Sequence, residues 1–192
     1  MKYALCKDKK CYEGEDCTKI KEKALEKYVG NDRRILTTAA STEADYYMKY
    51  TRLEELIDFA RQMNYKRLGI AFCIGLQEEA ELLHRILESN FEVFSVICKV
   101  CGINKEDLNL KKLHGYDFEA ICNPIGQAIV LNDKNTDLNV IVGLCIGHDI
   151  LFTEHSKAPV TTLVVKDRVL AHNPLGAIYS GYHRKPLEGN KG

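Results

Sequence analysis

From Arg67 onward, short apolar runs alternate with amphipathic stretches. Leu68-Gly69-Ile70-Ala71-Phe72 reads as a buried strand and Gln77 to Glu88 as a helix. Phe91 to Ile97 is a second strand, and Asn104 to Leu113 a short helix. Asn123-Pro124 opens a helix through Leu131, with Asn as N-cap and Pro at the first helical position. Leu138 to Leu144 is a third strand, His148 to Glu154 a short helix, and Val160 to Val165 a fourth strand. Asn173-Pro174 repeats the helix-opening pair and leads to Tyr179. Strands alternating with helices imply βαβ units. Apolar strands of this kind suit a sheet covered on both faces.

The expected fold class is α/β, an open and mostly parallel sheet with flanking helices, Rossmann-like or flavodoxin-like. Before it, Ser41-Thr42-Glu43-Ala44 resembles an N-terminal cap. Ala44, Tyr47, Met48, Leu53, Leu56, Ile57, Ala60 and Met63 then recur near helical spacing, with Asn64 as the stop. Residues 1–34 differ: Cys6, Cys11 and Cys17 lie among charged residues, followed by a lysine-rich helix from Thr18 to Tyr28. So short and polar a segment buries little core of its own, and a metal would stabilise it. The expected organisation is therefore a Cys-rich, metal-binding segment over residues 1–34 and an α/β domain over residues 35–192.

Composition narrows the partners. In 192 residues, 45% hydrophobic, Lys+Arg and Asp+Glu number 27 each, so the net charge is zero. That balance speaks against a broad surface for nucleic acid or anionic lipid. The scattered tyrosines offer no stacking platform. No apolar run approaches the roughly 18 residues of a membrane span. Met1 to Gly14 carries charges throughout and does not read as a signal peptide. The expected compartment is the cytoplasm, where the eight cysteines remain free thiols.

Those thiols fall where strands end. Cys73 ends the first strand, Cys98 and Cys101 the second and Cys145 the third, while Cys122 precedes the Asn123-Pro124 helix start. In an open parallel sheet these positions share one edge, where ligands bind. Thiolates are soft ligands for zinc or iron. Cys6, Cys11, Cys17, Cys98, Cys101, Cys122 and Cys145 are therefore candidate metal ligands. Cys73 is a further candidate that also reads as core, because it follows Ala71-Phe72. Gly102 and Gly147 and the helix starts at Asn123 and Asn173 offer backbone amides to a bound group. His148, Asp149, Asp167, Arg168 and His172 are candidate catalytic or substrate-contacting residues. For Asp149 the competing reading is a helix cap, and for Lys166-Asp167-Arg168 a plain turn. His84 reads as structural, and His155 and His183 as peripheral. No G-x-G-x-x-G or P-loop pattern follows the first strand.

These stretches resemble a family of predicted metal-binding proteins, the domain of unknown function 1847, mostly from anaerobic prokaryotes. The resemblance is carried by Ala71-Phe72-Cys73-Ile74-Gly75-Leu76, Cys98-Lys99-Val100-Cys101-Gly102 and Cys122-Asn123-Pro124-Ile125-Gly126-Gln127-Ala128. Gly143-Leu144-Cys145-Ile146-Gly147-His148-Asp149, Lys166-Asp167-Arg168-Val169, His172-Asn173-Pro174 and the N-terminal cysteine triplet complete it. It implies metal binding and supplies no reaction. Three functions follow as expectations. The first is an iron–sulfur protein with a Cys-lined site at the sheet edge, acting on a small molecule or redox partner. The second is a structural zinc protein acting as a binding module. The third is a thiol or sulfur-transfer enzyme using Cys98 and Cys101. Oligomeric state is not written in the sequence.

Overall fold

The computed structural model describes residues 2–113 and 115–189. The chain divides into two compact units, Met1–Thr51 and Arg52–Gly192. The boundary expected between residues 34 and 35 therefore falls inside the first unit. In that unit the chain makes two short 3-10 turns, Tyr3–Leu5 and Lys10–Glu13, then helices α1 (Lys21–Leu25) and α2 (Gly30–Tyr46). Asp16 organises the approach to α1. Its carboxylate accepts from the Thr18 N–H and hydroxyl and from the N–H groups of Lys19 and Lys21. These bonds hold its pKa below the ordinary carboxylate value.

The helix expected from Ser41 to Met63 is two helices. Tyr47 is extended and Met48 is left-handed (φ 59°), a conformation that cannot continue a right-handed helix. Helix α3 then starts afresh at Arg52 and runs to Gln62. Asn64 stops it as expected, in the left-handed region at φ 53°.

In the second unit, α3 is followed by β1 (Arg67–Phe72), α4 (Gln77–Glu88), β2 (Glu92–Ile97), α5 (Pro124–Asp133), β3 (Leu138–Val142), α6 (His148–His155), β4 (Val160–Val164), α7 (Leu175–Tyr179) and α8 (Gly181–Leu187). The strands form one all-parallel sheet in the order β2-β1-β3-β4. The expected α/β class and parallel pairing are both present. The chain leaves β1 towards β2 on one side and later places β3 on the other. The topological switch point therefore lies between the carboxyl ends of β1 and β3.

Period-two alternation divides the core. Leu68, Ile70, Phe72, Leu138, Val140 and Val142 pack against Leu56, Ala60, Leu83 and Leu87 of α3 and α4. Ala71, Cys73, Val96, Cys98 and Ile141 belong to the other cluster, with Ala128 and Leu131 of α5 and Phe152 of α6. Near the amino ends of the strands, the second face buries a polar group. Asn139 accepts from the Thr136 hydroxyl at 2.8 Å and donates to the Ser156 hydroxyl at 2.8 Å. Gly69, opposite Asn139 in the register, leaves that amide its space.

Two segments differ from expectation. Asn104 to Leu113 is a single 3-10 turn (Lys105–Leu108) closed by a capping box between Asn104 and Asp107, and Asn109 at φ 53° ends it. The excursion then folds back, with a bridge between Asn104 and Ala120 and a half-buried Lys105–Glu119 ion pair at 2.6 Å. Asn173 does not cap α7 through its side chain, and the helix starts at Leu175 because Ala171 and His172 are both left-handed. Among the described residues no helix is long and apolar enough to cross a membrane.

A Cβ at residue 69 would stand 2.0 Å from the Asn139 Oδ1 and 2.8 Å from Leu131 Cδ1. Gly69→Ala should therefore destabilise the second unit by about 1–3 kcal/mol, the usual range for overpacking. Urea unfolding is the check, and an unchanged midpoint would show that Asn139 moves aside freely.

Candidate functional site

The sheet ladder continues past the ends of the strands, and this extension builds the site. Phe72 pairs with Ile97 on one side and with Val142 on the other. One residue further, Cys98 N–H donates to the Phe72 carbonyl at 2.8 Å, and Cys73 N–H donates to the Val142 carbonyl at 3.1 Å. The long excursion after β2 returns alongside it, with Asn123 N–H on the Cys98 carbonyl at 2.7 Å. The order across the edge is therefore Cys122, Cys98, Cys73, Gly143. Gln127, fully buried in the first turns of α5, braces this row from beneath. Its Nε2 donates to the Phe72 carbonyl at 3.1 Å and the Val96 carbonyl at 2.7 Å.

Cys98 is the middle of the row, with Cys73 on one side and Cys122 on the other, and its sulfur accepts from the Ile74 N–H at 3.3 Å. Cys73 and Cys98 are buried and Cys122 is half-buried. Hydrogen bonding with the other two thiols, with burial adding to it, pushes the Cys98 thiol far above its ordinary pKa. Its neighbours move the opposite way. Cys73 falls to about 5, through the Cys98 hydrogen bond and then the Gly75 N–H and the Lys166 ammonium. Cys122 falls to about 5, through the Cys98 bond and then the charges of Lys99 and His148. Cys98 carries a single proton and can donate to one neighbour at a time. Lys166 beside Cys73 and Lys99 beside Cys122 act in the same direction as the Cys98 bond, more weakly.

Each cation is placed by a particular local feature. Lys99 directly follows Cys98, and its Nζ bridges the Ala120 carbonyl at 2.7 Å and Cys122 Sγ at 3.6 Å. Lys166 comes from beyond β4 and crosses Gly143, where a Cβ would lie 3.6 Å from its Cδ. Gly143 has φ 71°, and the same Cβ would meet Leu76 Cδ1 at 2.0 Å, so glycine is required there twice over. At Gly75 a Cβ would stand 3.2 Å from Lys166 Nζ and 4.0 Å from Cys73 Sγ. Arg168 donates to Cys145 Sγ at 3.0 Å. That sulfur, and more weakly Cys73 and Cys122, raises its pKa further.

The remaining candidates take other roles. Cys101 is exposed on a left-handed residue (φ 71°) and is not among the groups acting on Cys98, whose thiol partners are Cys73 and Cys122. Gly102 (φ 56°) and Gly147 (φ 89°) serve their turns, and a Cβ on either would project into open space. Asn123 is a true N-cap, accepting from Gly126 N–H at 2.9 Å. Asp149 accepts from the N–H groups of Gly147 and Ile150, which is the cap reading. Asp167 accepts from Val169 and Leu170 N–H, and its own N–H donates to His172 Nδ1 at 3.2 Å. Asp167 and His172 thus shape the turn that carries Arg168. Cys6, Cys11 and Cys17 are all exposed in the first unit. Among the described residues, no three Cys, His, Asp or Glu side chains are grouped as a metal site.

The model of the family described as Protein of unknown function (DUF1847) matches residues 12–163. The chain belongs to that family. It is also similar to an uncharacterised protein of Methanocaldococcus jannaschii, at 57% identity over 189 residues, covering 97% of this chain and 98% of the other. No solved structure is significantly similar to it. The matched stretch of this DUF1847 chain holds Cys73, Cys98, Cys122, Lys99 and Gln127, while Lys166 and Arg168 lie beyond it. Lys99, Lys166 and Gln127 are contributors absent from the candidates that the sequence suggests. All three stand inside the stretches that carry the resemblance. Lys99 adjoins a strand-end cysteine, Gln127 stands in the first turns of a buried helix, and Lys166 follows the last strand with no cysteine beside it in sequence.

In the DUF1847 chain, Cys122 should alkylate with iodoacetamide at a rate nearly constant from pH 8 to 6. A thiol of pKa about 5 is about 99% ionised at pH 7, whereas an ordinary thiol is a few per cent ionised. Cys98→Ala, which removes the largest influence on Cys122, should restore a steep fall below pH 8, and Lys99→Met should move the profile part of the way. A tenfold loss per pH unit in the native protein, as for an ordinary thiol, would refute the assignment. Linkage supplies a second readout. Between about pH 5 and 9 the folded state holds Cys73 and Cys122 ionised while the unfolded state protonates them. Their contribution to stability is then complete near pH 9 and is lost as pH falls towards 5. Cys98 is protonated in both states over that window and adds no slope. The native protein should gain more stability with rising pH than Cys122→Ser does.

Proposed function

We propose that this protein acts by thiol–disulfide or sulfur-transfer chemistry at the row Cys122–Cys98–Cys73. The observation that carries this reading is the row of three thiols at one sheet edge, with Lys99 Nζ 3.6 Å from Cys122 Sγ and Lys166 reaching across Gly75 to the side of Cys73. Depressed, cation-paired thiolates are the electrostatic signature of a nucleophilic cysteine. Cys122 is the most accessible member of the row and is the attacking group. With a disulfide substrate, its thiolate bonds to one substrate sulfur, the substrate S–S bond breaks, and a substrate thiolate leaves. Cys98 then gives up its proton to solvent or to the departing sulfur and attacks Cys122. The second substrate thiolate leaves, and a Cys98–Cys122 disulfide remains. Two electrons pass from the two cysteines to the substrate. The reducing cytoplasm is the fitting compartment, since all eight cysteines are unpaired.

A second reading is favoured by the donor set itself. Three sulfurs from three separate segments suit a soft centre, an iron–sulfur cluster or zinc. Cys73, Cys98 and Cys122 would hold it. As they stand, these sulfurs lie along a row and, among the described residues, are not grouped as a metal site.

One experiment separates the readings. Anaerobically purified, fully reduced protein is assayed for iron, zinc and sulfide, then treated with bis(2-hydroxyethyl) disulfide, trapped with N-ethylmaleimide and mapped by mass. The thiol reading expects a Cys98–Cys122 disulfide, no product at Cys122→Ser, and arrest as a mixed disulfide on Cys122 in Cys98→Ser. Near-stoichiometric metal that Cys98→Ser abolishes would replace it with the second reading.

A further inference from the structure

We infer that the sheet edge selects disulfides bearing negatively charged groups, with Lys166 and Arg168 as the residues that recognise the charge. This inference rests on the thiol reading above and names its substrate class. Three permanent cations, Lys99, Lys166 and Arg168, converge on the sulfurs. Among the described residues, none of the three takes part in an ion pair with a carboxylate. The nearest acids in sequence are already engaged. Asp149 binds the N–H groups of Gly147 and Ile150, and Asp167 those of Val169 and Leu170.

Lys99 and Lys166 lie against the row and Arg168 against Cys145, with no carboxylate among the described residues paired to any of them, so the edge favours negative charge. A Cys122 thiolate that becomes a mixed disulfide removes one negative charge from it. An anionic group on the bound half of the substrate is then held during the attack by Cys98. Lys99 is committed to the Ala120 carbonyl and Cys122. Lys166 and Arg168 lie outside the reacting Cys98–Cys122 pair, Lys166 beside Cys73 and Arg168 on Cys145. Lys166 spans the gap left by two glycines, and Arg168 is an exposed guanidinium on the turn built by Asp167 and His172. An arginine fork suits a carboxylate, sulfonate or phosphate end group.

The test compares three disulfides: 3,3′-dithiodipropionate (anionic), bis(2-hydroxyethyl) disulfide (neutral) and cystamine (cationic). Rate constants at Cys122 are divided by those of free 2-mercaptoethanol, which removes differences in leaving-group strength. At low ionic strength the normalised rate should be about tenfold higher for the anion than for the cation. It should approach parity in about 0.5 M salt, which screens the field without any substitution. Lys166→Gln and Arg168→Gln, checked for folding by circular dichroism, should each shrink the ratio. Equal normalised rates in the native protein would overturn the charge selection while leaving the disulfide reaction intact. A preference that survives both substitutions would overturn the assignment to these side chains. Failure of all three disulfides to react at Cys122 would remove this inference together with the thiol reading.

Discussion

The parallel register of β1 between β2 and β3 is the constraint on which the site depends. Because Phe72 faces Ile97 and Val142, the next residue along must bring Cys73 beside Cys98 on one side and Gly143 on the other. A slip of one residue would turn every side chain to the opposite face. It would send the sulfurs into the α3–α4 core and put isoleucine and phenylalanine at the edge. The register is protected by what each face buries: large aliphatics on one, and the Gly69–Asn139 fit with Gln127 on the other. Gln127 bonds to two strand carbonyls immediately below the cysteines. The last hydrogen bonds of the sheet are therefore its best supported.

On this frame three sulfurs lie side by side, and Lys99 and Lys166 arrive from the segments that follow two different strands, one beside each outer sulfur. The loop from Ile103 to Ile121 has a part in this, because its fold-back and the Lys105–Glu119 pair return Cys122 to its place beside Cys98.

Much of this is legible in the sequence. Alternating apolar runs and helix caps locate the four strands and the principal helices of the second unit, and strand-end cysteines mark the edge. Individual pairings are not legible, for physical reasons. Cys98 and Cys101 share a familiar spacing, but a left-handed residue at Cys101 turns it outward, and φ cannot be read from residue type there. Cys73 reads as core because it follows Ala71-Phe72, and it is indeed buried. Its role comes from a neighbour on another strand, which local pattern does not encode. The apolar positions from Ala44 to Met63 fit one helical period although Met48 breaks the helix, since two helices in sequence can share a phase. Helix α8 is hidden because Gly181 and Pro186 are poor helix signals. Cys6, Cys11 and Cys17 are closely spaced in sequence, yet all three are exposed and, among the described residues, are not grouped as a metal site.

The sulfurs and the cations differ in mechanical character. The sulfurs hang on short side chains from backbone held by ladder hydrogen bonds, so their spacing is stiff. The positive groups sit at the ends of four-carbon stems or a guanidinium arm on loops, so their positions are compliant. Such a centre keeps its reacting atoms in fixed register while its counter-charges adjust to ligands of different length. Discrimination among ligands would then follow charge sign more than size, and tolerance for varied molecular shapes would be built into the edge of the sheet.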